Sequence, residues 1–347
     1  MLNSVIKPYK SRTGELLLNY LAAMSFISLF FYIYTEHALF SKPIDKKLVF
    51  IGFSINGKEL LQYVVLFYSF ILIPYYLTLE KNYKTKSVSA WSGLIFFIKG
   101  KSLTERQKIA ARAILVKGFF LPLMLVWLAI HFGSIYGNLT KFIENGDFFP
   151  YGYWFAFYLI LFADVFFFTI GYAVEHPWLR NEIKSVDPSM LGWFVALICY
   201  PPFNGMTNDI LGWYSKDYPA IENVYLQYFS GGLILVLMFF YAWASVALNL
   251  KASNLTNRGI VTFGPYGWVR HPAYAAKNLA WWVGSVPILA IKLDEGMEVF
   301  FYGVASMLLW SYIYYLRSTT EERHLLMDAK YKDYCEKVRF RFIPGFY

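Results

Sequence analysis

Eight apolar stretches divide this chain, near 16–34, 60–79, 112–131, 151–174, 189–204, 225–249, 279–291 and 299–316. A hydrocarbon layer about 30 Å thick takes roughly 20 residues of helix to cross. A chain partitioned this way is constrained to be a polytopic membrane protein that pairs its backbone polar groups inside helices. Two stretches depart from the pattern: the fifth runs into Pro201 and Pro202, and the seventh has only 13 residues. Either is compatible with a re-entrant, tilted or turn-extended segment. The expected fold class is all-α, a polytopic helical bundle of about eight transmembrane helices with a cytosolic C-terminal segment.

Charge placement tests that count. With the N-terminus cytosolic, 24 of the 32 Lys and Arg fall on the cytosolic side and 7 on the other, Lys117 lying within a span. This is the positive-inside pattern. Deleting only the fifth or only the seventh span would move either the basic 251–278 loop or the basic tail outside, so both are retained. Both termini are then cytosolic, in a bacterial inner membrane or the endoplasmic reticulum. The net charge of +9 reads as a topology signal and an attraction to anionic membrane lipids, not as a nucleic-acid footprint. A chain that is 57% hydrophobic and 16% charged is no ordinary soluble domain. Cys199 in an apolar stretch and Cys335 in the tail are not expected to pair. The polar N-terminus lacks a small-residue cleavage site, so the first span reads as retained. WSGLIFFI (91–98) reads as a short interfacial helix.

Two polar motifs interrupt the apolar pattern at one end of the expected bundle. GPYGWVRHPAYAAKNL (264–279) opens the seventh span and RSTTEERHLL (317–326) closes the eighth, with the short KLDEGME turn (292–298) between those spans. A helical hairpin therefore brings Arg270, His271, Tyr274, Arg317, Glu321 and Glu322 within reach of one pocket. Singly, each has a plainer reading. Arg270 and Lys277 fit headgroup anchors, His271 fits a turn histidine, the tyrosines fit an aromatic belt, and Arg317 with Glu321 fits an i,i+4 surface ion pair. Their combination carries the functional reading.

Residues 251–347 resemble the C-terminal module of the isoprenylcysteine carboxyl methyltransferases and the related phospholipid methyltransferases. RHPAY (270–274), EERHLL (321–326), YKDYCEKV (331–338) and FIPG (342–345) fall in that superfamily's order and near its spacing. The resemblance implies S-adenosylmethionine bound on the cytosolic side and a lipid or lipid-modified substrate entering from the bilayer. Carried over, Arg270, His271, Pro272, Tyr274, Glu321, Glu322 and Tyr331 would bind the cofactor, with Arg317 and Glu321 nearest the reacting groups. Ala276 stands where the superfamily often has glycine, and MDAK (327–330) shortens a turn that would shape the cofactor lid. An arginine could hold a carboxylate acceptor; an amine acceptor would need a glutamate or histidine as base.

The expected division is a six-helix N-terminal region, 1–250, and a methyltransferase-like core, 251–347. In the first part, Asp164 lies mid-span, where an ionisable group is either functional or hydrogen-bonded to a neighbouring helix. Arg180 and Asn204, in polar and proline-broken segments, join it as expected acceptor-binding residues. His176, His271 and His324 do not fall at a zinc-ligand spacing, so no metal is expected. Two rival readings stay open: an NADPH-dependent membrane reductase of the sterol reductase type, which uses a similar hairpin, and a non-catalytic lipid-binding or transport protein.

Overall fold

Long apolar segments with few helix breakers dictate the architecture. The computed structural model describes residues 11–207, 211–218 and 221–346. Its helices are α1 (Arg12–Glu36), α2 (Ala38–Ile44), α3 (Gly57–Thr78), α4 (Lys86–Ile98), α5 (Glu105–Asn145), α6 (Tyr153–Ala173), α7 (Met190–Leu197), α8 (Val224–Leu248), α9 (Pro272–Glu295), α10 (Met297–Leu325) and α11 (Ala329–Lys337). Four short strands accompany them: β1 (Lys47–Phe50), β2 (Phe53–Asn56), β3 (Ser185–Val186) and β4 (Thr256–Asn257). Among the described residues, six helical segments are long and apolar enough to cross a membrane: α1, α3, α5, α6 with its preceding turn, α8 with its following turn, and α10.

The chain forms two compact units, one of residues up to 48 with 54–126, the other of 49–53 with 127–347. The division expected at 250/251 falls inside the second unit. In the first, α1 packs against α2, α3 and α4. The Arg12 guanidinium caps the last turn of α3, donating to the carbonyls of Tyr76 at 3.2 Å and Leu79 at 2.5 Å. The expected helix at 91–98 is α4; it begins five residues earlier, where the Thr85 side chain accepts from the Val88 N–H.

In the second unit, α6 and α8 run in the same direction. Tyr153 and Phe149 meet Gly231 near both helix starts, and farther along both helices Asp164 accepts from Tyr241 and Ser245. Helix α9 returns antiparallel along α8, packing Ala280 with Ile234 and Met238. Helix α10 then pairs with α9, Trp282 donating to Ser311 at 3.1 Å. Two helices running the same way along a bundle need a return path between them, and the described residues between α6 and α8 mark it.

The expected fifth span, 189–204, is not one helix. Helix α7 has eight residues, about 12 Å of rise, far short of a hydrocarbon layer. The chain nevertheless travels the length of α10. It starts beside His324, which Ser185 contacts at 2.8 Å, passes Trp310 and Ile313 at Val195, and reaches Gly303 at Tyr214. Irregular backbone at that depth requires substitute partners, and neighbouring elements provide them. Ser306 donates to the Gly212 carbonyl at 2.6 Å, the Lys216 N–H donates to the Gly284 carbonyl at 3.2 Å, and Tyr153 donates to the Asp217 carbonyl at 2.5 Å. The seventh expected span is longer than its apolar core. Helix α9 has 24 residues, about 36 Å, but Lys277, Asn278 and a charged last turn keep it out of the strongly apolar set.

Gly284 allows this close passage, since a β-carbon there would lie 2.2 Å from the Lys216 carbonyl oxygen. Gly284→Ala is therefore expected to push the crossing segment off α9 at a cost of about 1–3 kcal/mol. Thermal unfolding of the detergent-purified variant, read against wild type, checks this; an unchanged midpoint would show that the segment does not seat there.

Candidate functional site

A cavity opens in the second unit where α9 begins and α10 ends, with about 950 Å³ of empty space, its open mouth included. Local sequence explains why polar groups gather there. Pro272 fixes the first turn of α9, as proline does where its missing N–H costs nothing. Residues 270 and 271 precede it outside the helix. Their N–H groups donate to the carbonyls of Phe340 at 3.0 Å and Arg341 at 2.9 Å, so the tail lies across the α9 entry. Tyr334 on α11 fastens the preceding turn by donating to the Tyr266 carbonyl at 2.7 Å.

Glu322 is the knot of this arrangement. Its Oε1 takes Arg270 Nε at 2.7 Å and His271 Nε2 at 3.1 Å, and its Oε2 takes Arg341 Nη2 at 2.6 Å. Burial weighs against charge on Arg270, but the Glu322 carboxylate more than offsets it and holds the guanidinium pKa above its ordinary value. Glu322 thus joins the start of α9, the end of α10 and the tail.

Glu321 faces the other way. It lines the cavity, its side chain 44% exposed, and accepts from the Tyr274 hydroxyl at 2.8 Å. Tyr274 stacks on His271, ring centres 5.4 Å apart and planes within 6°.

Arg317 occupies the floor. It is buried, and its guanidinium carbon lies 4.9 Å from the Tyr314 ring centre, 5.1 Å from Tyr274 and 5.9 Å from Tyr200. Its Nη2 donates to Asn254 Oδ1 at 3.0 Å, and Asn254 in turn donates to the hydroxyls of Tyr172 and Tyr200 at 2.9 and 3.2 Å. Among the described residues no carboxylate comes within ion-pair range of it, so the i,i+4 pair with Glu321 does not form. A second cation on the wall, Lys277, sits over the rings of Tyr241 at 4.9 Å and Trp281 at 5.4 Å. Aromatic faces favour both charges while leaving their hydrogen-bonding capacity largely for a ligand.

No family model, curated protein or solved structure matches this chain. The site must therefore be read from its own geometry.

Of the residues expected at the site, Arg270, His271, Tyr274, Arg317 and Glu321 do line the cavity. Pro272 and Glu322 do not; one sets the helix start and the other is saturated by its three partners. Tyr331 is a correction as well, because it is buried with Tyr334 and Val338 in a small cluster beneath the tail. Asp164 lies one step behind the wall, bound to the cavity residues Tyr241 and Ser245, and so takes the hydrogen-bonded reading. Arg180 is exposed as the left-handed cap of a short turn, and Asn204 sits in the turn after Tyr200; neither lines the cavity. Sequence reasoning missed Tyr200, Tyr241, Asn254 and Lys277 as lining residues. Lys277, one helical turn beyond Tyr274, was the one a helix projection could have found.

Proposed function

We propose that this protein is an integral membrane enzyme, both termini cytosolic, that transfers a methyl group from S-adenosylmethionine to a carboxylate carried by a lipid or lipid-modified substrate. The observation that carries this reading is Arg317, a buried guanidinium held by three tyrosine rings and one amide with no carboxylate of its own. A buried charge is costly until it is paired, and a carboxylate fits the guanidinium fork.

The residues present suit the cofactor. Its amino and carboxylate ends need partners of both signs, and Glu321 and the polar cavity mouth with His271 and Tyr274 offer them. When bound, S-adenosylmethionine supplies a methyl group on a positively charged sulfur, open to in-line displacement by an oxygen lone pair.

The remaining work falls to the chain. Arg317 orients the acceptor, and the tyrosine walls keep water from it, so the two reactants meet in one geometry. A carboxylate needs no base, because it carries no proton to lose on methylation. This agrees with the spending of Glu322 on structure. An amine acceptor would need a free base, and Glu321, engaged by Tyr274, is the one carboxylate of that motif on the wall.

Calorimetric titration of the purified protein tests the cofactor half of the reading. S-adenosylhomocysteine is expected to bind and NADPH not to bind. His271→Ala, which removes the ring under Tyr274, is expected to weaken S-adenosylhomocysteine about tenfold, the cost of one lost contact of roughly 1.4 kcal/mol. Binding of NADPH alone would replace the methyl-transfer reading with a reductase.

A further inference from the structure

Outside the cavity, two lysines crowd one spot beside the β3–β4 ribbon, with a third at the start of α11. Gly259 adopts a φ of +109°, and the point where a side chain would begin lies 3.3 Å from Lys251 Nζ and 3.7 Å from Lys184 Nζ. The two ammonium groups are therefore within about 7 Å of one another. Lys330, at the start of α11, adds a third repelling charge to Lys251. Asp328 approaches Lys184 at 4.0 Å, but its oxygens are engaged by Asn257 Nδ2 at 3.0 Å and the Lys330 backbone N–H at 3.1 Å. Among the described residues, Lys251 and Lys330 have no carboxylate in ion-pair range.

Flexible, solvated lysines ordinarily spread apart. Here a residue without a side chain leaves the space between two of them open, in a backbone conformation that favours glycine. The position along the chain says what belongs there. Lys251 is the last residue of the apolar segment Val224–Lys251, which sets the lysines at the level where a bilayer carries its headgroups. We propose that Lys184 and Lys251 form a cradle around Gly259 for a phosphate group, that of an anionic lipid headgroup, with Lys330 adding its charge to the same side.

The adjoining ribbon residues Leu255 and Thr256 line the cavity, so the bound lipid stands at the cavity's edge. The cradle does not depend on methyl transfer and survives the failure of that reading.

Native mass spectrometry of the full chain in detergent, with phosphatidic acid, phosphatidylglycerol or phosphatidylcholine added, tests it. The expected result is one anionic lipid held per chain in preference to phosphatidylcholine. Lys184→Gln with Lys251→Gln is expected to weaken it about 25-fold, or roughly fivefold per lysine removed near a membrane surface. A control pair on another surface, Lys99→Gln with Lys101→Gln, removes the same charge and is expected to leave retention unchanged. Competition by inorganic phosphate at millimolar concentration would support the cradle and make free phosphate a second source of the ligand. Equal retention of phosphatidylcholine, or equal loss from both double variants, would overturn the proposal.

Discussion

Replacing Arg317 by Gln is expected to lower methyl transfer about 10²- to 10³-fold, the scale of losing one preorganised donor to a charged reacting group. S-adenosylhomocysteine affinity is expected to hold, because the fork of Arg317 is assigned to the acceptor and the cofactor contacts to Glu321, His271 and Tyr274. Arg317→Lys keeps the charge inside the tyrosine cage but loses the two-pronged geometry, so it should fall between wild type and Arg317→Gln. Transfer of labelled methyl groups to a lipid extract, with the product checked for base-labile ester, gives the readout. A product that resists base would move the acceptor from carboxylate to amine. A parallel loss of S-adenosylhomocysteine binding in Arg317→Gln would move the arginine from acceptor to cofactor.

The second large effect is structural. Glu322→Ala leaves Arg270, His271 and Arg341 without their shared carboxylate, and stranding buried charges in this way costs about 3–5 kcal/mol. The damage should concentrate where those residues meet. The tail near 338–342 is expected to become the first segment cut in limited proteolysis, ahead of any cleavage between α6 and α8, and cofactor affinity should fall with it. Glu322→Gln retains an acceptor oxygen for one arginine and should recover part of the loss. If the tail of Glu322→Ala resists protease as wild type does, the knot is not what fastens it.

Much of this was readable from the chain alone. Six apolar stretches became long, strongly apolar helices, with only Pro74 and Pro122 to interrupt their intrahelical pairing, and α9 formed around a shorter apolar core. The α9–α10 hairpin followed from a short turn between two such stretches, which placed both polar motifs at one end. The limits were equally physical. Glu321 and Glu322 are neighbours in sequence but point about 100° apart on a helix; no pattern in RSTTEERHLL tells which of them meets the tail and which the cavity. Tyr200 and Asn254 reach Arg317 from segments 117 and 63 residues away, where they resemble ordinary loop and belt residues. Tyr331 sat in the right order for a site residue, yet its own helix turns it under the tail. The expected fifth span kept its apolar composition but not its helix, because Pro201 and Pro202 deny backbone donors where the helix would have continued.

That segment also bears on how the protein is built. A continuous apolar helix pairs its own backbone, whereas the described residues after α7 add to their local turns partners drawn from Ser306, Gly284 and Tyr153. Two of those partners belong to helices made later than the stretch itself. The described residues on this path therefore complete their pairing only once α9 and α10 are in place. Packing in this half of the protein is finished out of the order of synthesis.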